Sequence, residues 1–194
     1  MTHASYRKFV HWTKRSTARL GTLMLGLAGA LGLMTVSGTA NAVPVDLELV
    51  LAVDVSTSVD STEFNLQKQG YVDAFNNPVI QQAINDGAIG SIAATLVYWS
   101  TNQEQSVAWN LIDDGTAGIT AADFAALIDG TTRPGTGSIG FATGIGDAIT
   151  FSDGLFDPNG YEGTRTVIDV SGDGTSNIGS DPSTAGAAAT TYVE

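Results

Sequence analysis

The stretch LVLAV, residues 49–53, followed at once by DVSTS, residues 54–58, does most to limit what this chain can fold into. A strand with one face in water alternates apolar and polar residues. Five consecutive apolar residues bounded by polar ones describe a strand buried on both faces. The stretch ends a longer run, VDLELVLAV at 45–53, and three more apolar runs follow: SIAATLVYWS at 91–100, SVAWNLI at 106–112 and RTVIDV at 165–170. Helical patterns lie between most of them. Asp60 with Glu63 three residues on reads as a capping box, opening a helix in which Phe64, Tyr71 and Phe75 recur at near-helical spacing. Asn76-Asn77-Pro78 interrupts it, and Pro78 suits the first turn of a second helix carrying Ile80 and Ile84. Thr120 and Asp123 cap AADFAALI, and Ile145, Ala148, Ile149, Ser152, Leu155 and Phe156 mark one face of a fourth helix.

Strands alternating with helices pair in parallel through right-handed crossovers, so the expected fold class is α/β, with a mostly parallel central sheet and helices on both faces. SIAATLVYWS and SVAWNLI are separated only by TNQEQ and are expected to form one antiparallel hairpin at a sheet edge. Asp181 and Pro182 open a last helix, STAGAAATTYVE. One further strand and helix would complete the sheet, so the domain is expected to be C-terminally truncated at Glu194.

Of the 8 Lys and Arg residues, Arg7, Lys8, Lys14, Arg15 and Arg19 precede the apolar segment from Leu20 to Val36, and SGTANA follows it. A basic region, an apolar region and small residues Ala40 and Ala42 at an A-x-A site are the layout of a secretory signal peptide over residues 1–42. Cleavage near Ala42 would leave a single domain, 43–194, secreted or held in the periplasm or cell envelope. An uncleaved segment would instead tie it to a membrane. Beyond Ala42 only Lys68, Arg133 and Arg165 are basic, against 20 acidic residues. That field repels nucleic acid and anionic membranes.

Both histidines, His3 and His11, lie within the signal, and the sequence has no cysteine. A Ser-His-Asp triad, a Cys-His pair, an ordinary zinc site and disulfide stapling are therefore excluded from 43–194. About 150 residues suffice for one hydrophobic core.

In a parallel α/β sheet the loops at the carboxyl ends of the strands converge on one crevice. The first such loop supplies Asp54, Ser56 and Ser58, and the loop after RTVIDV supplies Asp173 within SGDG. Between them, RPGTGSIGFATGIGDAI supplies Thr143, with Thr136 and Ser138 as competitors. Carboxylate and hydroxyl oxygens without nitrogen or sulfur suit a hard cation such as Mg²⁺ or Mn²⁺. Read alone, DVSTS also fits a strand ending in a turn whose Asp and Ser satisfy loose backbone groups. Asp169, inside an apolar strand, is expected to be a paired structural carboxylate. Trp99 and Trp109 are expected in the hairpin core or as cross-strand partners.

DVSTS matches the D-x-S-x-S signature of von Willebrand factor type A domains, TGIGDAI resembles their Thr loop, and VIDVSGDG their Asp loop. With YWS, WNLI and RP, the set resembles secreted bacterial type A proteins carried as a domain of unknown function. The resemblance spans roughly 45–190. It implies a Rossmann-like sheet with a metal-ion-dependent adhesion site, where Ser56, Ser58 and Thr143 bond one Mg²⁺, Mn²⁺ or Ca²⁺ directly. Asp54 and Asp173 would lie in the first or second shell, partly through water, and an acidic group of a protein partner would complete it. The chain departs from that family where Ser171 and Gly172, instead of an apolar residue and Thr, precede Asp173.

The function expected is a metal-dependent, adhesion-like module that binds a protein or surface ligand and is not an enzyme. The alternatives are a metal-assisted phosphoryl or ester hydrolase using the same crevice, and a non-metal structural domain of the envelope. DVSTS resembles the D-x-D of aspartyl-phosphate phosphatases in outline, but Ser56 holds the second Asp position and Lys68 is the only lysine beyond Ala42.

Overall fold

The computed structural model describes residues 10–14, 41–157 and 159–190. The apolar segment of the predicted signal and the last four residues lie outside them. Among the described residues no helix is long and apolar enough to cross a membrane.

The run at 49–53 forms the inner strand β3, Leu47–Asp54, of a six-stranded sheet. It pairs in parallel with β4, Ile92–Trp99, on one side and with β8, Thr166–Ser171, on the other. Because successive side chains point to opposite faces, the run divides between two cores. Leu51 and Val53 pack with Phe64, Phe75, Tyr98, Phe124 and Ile128 on one face, and Val50 and Ala52 pack with Val97, Trp99, Ile149, Ile168 and Val170 on the other. Helices α1 (Ser61–Asn76), α2 (Pro78–Asn85) and α3 (Ala121–Asp129) contribute to the first core, while α5 (Ile145–Asp153) and α6 (Pro182–Thr190) contribute to the second. The α/β class, with a mostly parallel sheet covered on both faces, is what the apolar runs imply.

The expected hairpin is β4 with β5, Gln103–Asp113, antiparallel, with the short β6 (Ile119–Thr120) beyond it at the sheet edge. Both predicted capping boxes form, Asp60 with Glu63 on α1 and Thr120 with Asp123 on α3. Asn77 caps α2 and Pro78 occupies its first turn.

Several boundaries differ from expectation. The run at 45–53 is broken at Asp46, and β2, Val43–Val45, leaves to pair with β7, Tyr161–Gly163, in a separate two-stranded sheet. Buried Glu48 ties this small sheet to β3 by accepting from the Gly163 amide at 2.6 Å, with Asn159 donating to its other oxygen. Helix α5 ends at Asp153, so Leu155 and Phe156 lie beyond it, packed against the second core from a turn. Trp99 is fully buried, whereas Trp109 packs beside Phe156 and Tyr161 and donates to the Leu155 carbonyl. Asp169 accepts from the Tyr71 hydroxyl at 3.3 Å. Five residues of the predicted signal, Val10–Lys14, form an edge strand β1 antiparallel to β8. Val, Trp and Thr give that stretch a strand preference that its place in a basic leader does not announce.

Candidate metal centre

Strand β3 delivers Asp54 to the carboxyl end of the sheet, in register with Trp99 of β4. Asp54 is fully buried, and its Oδ1 accepts from the Ser56 amide at 2.7 Å, a local turn that lifts the chain off the strand. The Val59 amide then donates to the Ser56 carbonyl, and the chain enters α1 at Asp60. This short turn leaves the hydroxyls of Ser56 and Ser58 3.0 Å apart.

The other two predicted loops reach the same point. Ser58 donates to Asp173 Oδ1 at 2.9 Å, across 115 residues of sequence. The Thr143 hydroxyl reaches that of Ser56 at 3.5 Å. Asp54, Ser56, Ser58, Thr143 and Asp173 therefore gather at one place. Ser138 instead donates to the carbonyl of Gly135 within a four-residue helix, α4 (Thr136–Ile139), that also holds Thr136. Gly144 caps α5 without a side-chain bond, so Thr143 stands one residue ahead of the cap.

These residues suit a small hard cation on three counts. Asp54 Oδ2 is buried without a hydrogen-bond partner among the described residues, a costly state for a carboxylate oxygen. Octahedral coordination at about 2.1 Å sets neighbouring ligand atoms about 3 Å apart, which is the spacing of the Ser56 and Ser58 hydroxyls. The donors are all oxygen, with two carboxylates to balance a divalent charge. Among the described residues no group of three or more His, Cys, Asp or Glu side chains forms a metal cluster, so a site here depends on hydroxyls.

Burial pushes the Asp54 carboxyl up to about 6; the Ser56 amide and hydroxyl partly offset this, the Asp173 charge adds to it and the Arg133 charge opposes it. A cation at the site would act in the same direction as Arg133, favouring the ionised form.

Two supporting residues carry no mark in the motif itself. Asn177 holds Thr143 at both ends, its Oδ1 accepting from the Thr143 backbone amide and its backbone N–H donating to the Thr143 carbonyl, each at 2.9 Å. Arg133 reaches back to the first loop, where its Nη2 donates to three carbonyl oxygens. Arg133 was marked in the sequence by RP, one of the motifs that carry the resemblance, and by the scarcity of basic residues beyond Ala42, but neither signal gave it a role. Gly172 has a structural reason: a Cβ there would stand 2.9 Å from Asp54 Oδ2 and 3.2 Å from Asp54 Cβ. The close approach of the β8 loop to Asp54 thus demands glycine where the sequence departs from the type A pattern.

Residues 44–193, nearly all of the domain, match the family described as "Protein of unknown function (DUF1194)". The chain belongs to the DUF1194 family. No curated protein matches this DUF1194 chain. Among solved structures it is similar to proximal thread matrix protein 1 from the mussel byssus, a structure with a zinc-occupied MIDAS motif, at 19% identity and a TM-score of 0.40. That match covers 59% of this chain and 26% of the mussel protein. It is also similar to an aerotolerance-related membrane protein from Bacteroides fragilis NCTC 9343, at 13% identity and a TM-score of 0.39, covering 58% of this chain and 47% of that one. The DUF1194 chain thus spans less than half the length of either.

Proposed function

We propose that this DUF1194 protein is a secreted, metal-dependent binding module whose Mg²⁺-type cation is held by Ser56, Ser58 and Thr143, with Asp54 and Asp173 bonding it directly or through water. The observation that carries this reading is the meeting of two carboxylates and three hydroxyls from three separate loops, with one buried Asp54 oxygen left without a hydrogen-bond partner among the described residues. The bound cation would present a Lewis-acidic position to a carboxylate of a protein or surface ligand. Two exposed apolar side chains on the loops that supply the site suit a macromolecular ligand. Phe141 is 66% exposed although its carbonyl is anchored by the Thr57 amide and hydroxyl, and Ile178, beside Asn177, is also exposed.

A hydrolase reading has less to draw on. Residues 43–194 contain no histidine, and the one lysine among them, Lys68, donates to the carbonyls of Asp129 and Thr131. Neither an imidazole base nor a phosphate-binding ammonium is at hand, so a hydrolase would have to draw its general base from Asp54 or Asp173.

Isothermal titration of the signal-free protein with Mg²⁺, Mn²⁺ and Ca²⁺ tests the proposal, together with N-terminal sequencing of the exported chain for cleavage near Ala42. One-site binding that is lost in Asp54→Ala and Ser56→Ala is expected. Binding of equal strength in those variants would sink the assignment, and metal-dependent turnover of generic phosphate or ester substrates would favour the enzyme.

A further inference from the structure

The carbonyl groups of Val55, Ser56 and Val59 turn their oxygens towards a single nitrogen, Arg133 Nη2, at 3.0, 2.9 and 2.7 Å. Three carbonyl dipoles with converging negative ends repel one another unless a cation sits between them. A guanidinium nitrogen carries only two N–H groups, so one is shared between two of the oxygens. The same guanidinium lies over the Phe64 ring, 5.8 Å from its centroid, which fixes it against the first turns of α1.

Arg133 belongs to the segment that goes on to supply Thr143. That segment grips the first loop at three successive points: Arg133 on the carbonyls of residues 55, 56 and 59, the Phe141 carbonyl on the Thr57 amide and hydroxyl, and Thr143 on Ser56. Three further loop amides are also committed, Val55 to the Trp99 carbonyl, Ser56 to Asp54 and Val59 to the Ser56 carbonyl. A loop of five residues, three of them with hydroxyl side chains, has many conformations open to it, and a metal that had to order it would bind more weakly.

We infer that Arg133 is the positioning residue of this site, a permanent internal cation that holds the 55–59 loop in its metal-ready form before any metal arrives. The inference rests on the metal reading for its purpose but not for its structural content. Its positive charge also opposes a second cation nearby, so removal of Arg133 pits lost preorganisation against lost repulsion. With three bonds to the loop backbone against one screened charge, preorganisation is the larger effect.

The test compares wild type with Arg133→Met, which keeps the apolar stem over Phe64, and with Arg133→Lys, which keeps a charge and three donors. Hydrogen exchange of the Val55, Ser56, Thr57 and Val59 amides is followed in EDTA, and Mg²⁺ affinity is measured by titration calorimetry. Arg133→Met is expected to exchange at least tenfold faster at these four amides while the amides of β3 and β4 keep their protection, and to bind Mg²⁺ at least tenfold more weakly. Arg133→Lys is expected to recover part of both. Loop exchange within twofold of wild type in Arg133→Met overturns the inference, as does Mg²⁺ affinity that is unchanged or tighter. If wild type binds no divalent cation, the metal reading fails, and the amide comparison still decides whether Arg133 orders the loop. A variant that unfolds throughout, with β3 and β4 unprotected, counts against a local positioning role.

Discussion

Asp54→Asn should gain stability relative to the metal-free wild type as the pH rises, while destroying the proposed metal site. Burial raises the Asp54 carboxyl from 3.8 to about 6, and at about 1.4 kcal/mol per unit that shift corresponds to ~3 kcal/mol. The folded-state value lies above the unfolded one, so folding favours the neutral acid. The contribution of Asp54 to stability is complete below about pH 3.8 and is lost as the pH rises through about 6. Asparagine cannot ionise, and its side-chain carbonyl can still accept from the Ser56 amide. Its NH₂ group inherits the unpartnered position of Oδ2 at a pH-independent cost of about 1–3 kcal/mol. The diagnostic quantity is therefore the change with pH. Between pH 4 and pH 7.5 the variant should gain ~2.4 kcal/mol on wild type, read from urea unfolding in EDTA at constant m-value. Saturating Mg²⁺ should restore about 2.7 kcal/mol to wild type at one hundred times its dissociation constant and nothing to the variant. A difference between the two proteins that stays flat within about 0.5 kcal/mol across this pH range in EDTA would refute the argument.

Two further substitutions separate the site from its surroundings. Thr143→Ala should weaken Mg²⁺ binding at least tenfold, about 1.4 kcal/mol, whereas Thr136→Ala and Ser138→Ala should leave it unchanged. Calorimetric titration checks all three, and a Ser138→Ala loss matching that of Thr143→Ala would reassign the Thr loop. Gly172→Ala should lower stability by about 1–3 kcal/mol through overpacking, because its Cβ meets Asp54 and the buried Trp99 ring. Urea unfolding gives the loss, and a wild-type midpoint would show that the β8 loop can move away from Asp54.

What the sequence by itself determined was whatever depends on neighbours a few positions apart. The apolar stretch at 49–53 announced a strand buried on both faces, and the capping pairs Asp60–Glu63 and Thr120–Asp123 placed two helix starts, because a cap is satisfied within its own turn. The oxygen-bearing residues Asp54, Ser56, Ser58, Thr143 and Asp173 of the candidate site were legible as three motifs in order, since each loop carries its chemistry locally. Only the tertiary structure decided how those motifs meet and what holds them. It separated Val45 from β3 through a second sheet, ended α5 at Asp153, and laid Val10–Lys14 along β8. It also required a glycine at 172, where two loops approach too closely for a side chain, and it brought Arg133 to carbonyls 74 to 78 residues away. No local pattern encodes such contacts, because backbone carbonyls look alike in sequence and become a binding site for a guanidinium only when the fold turns them towards one point.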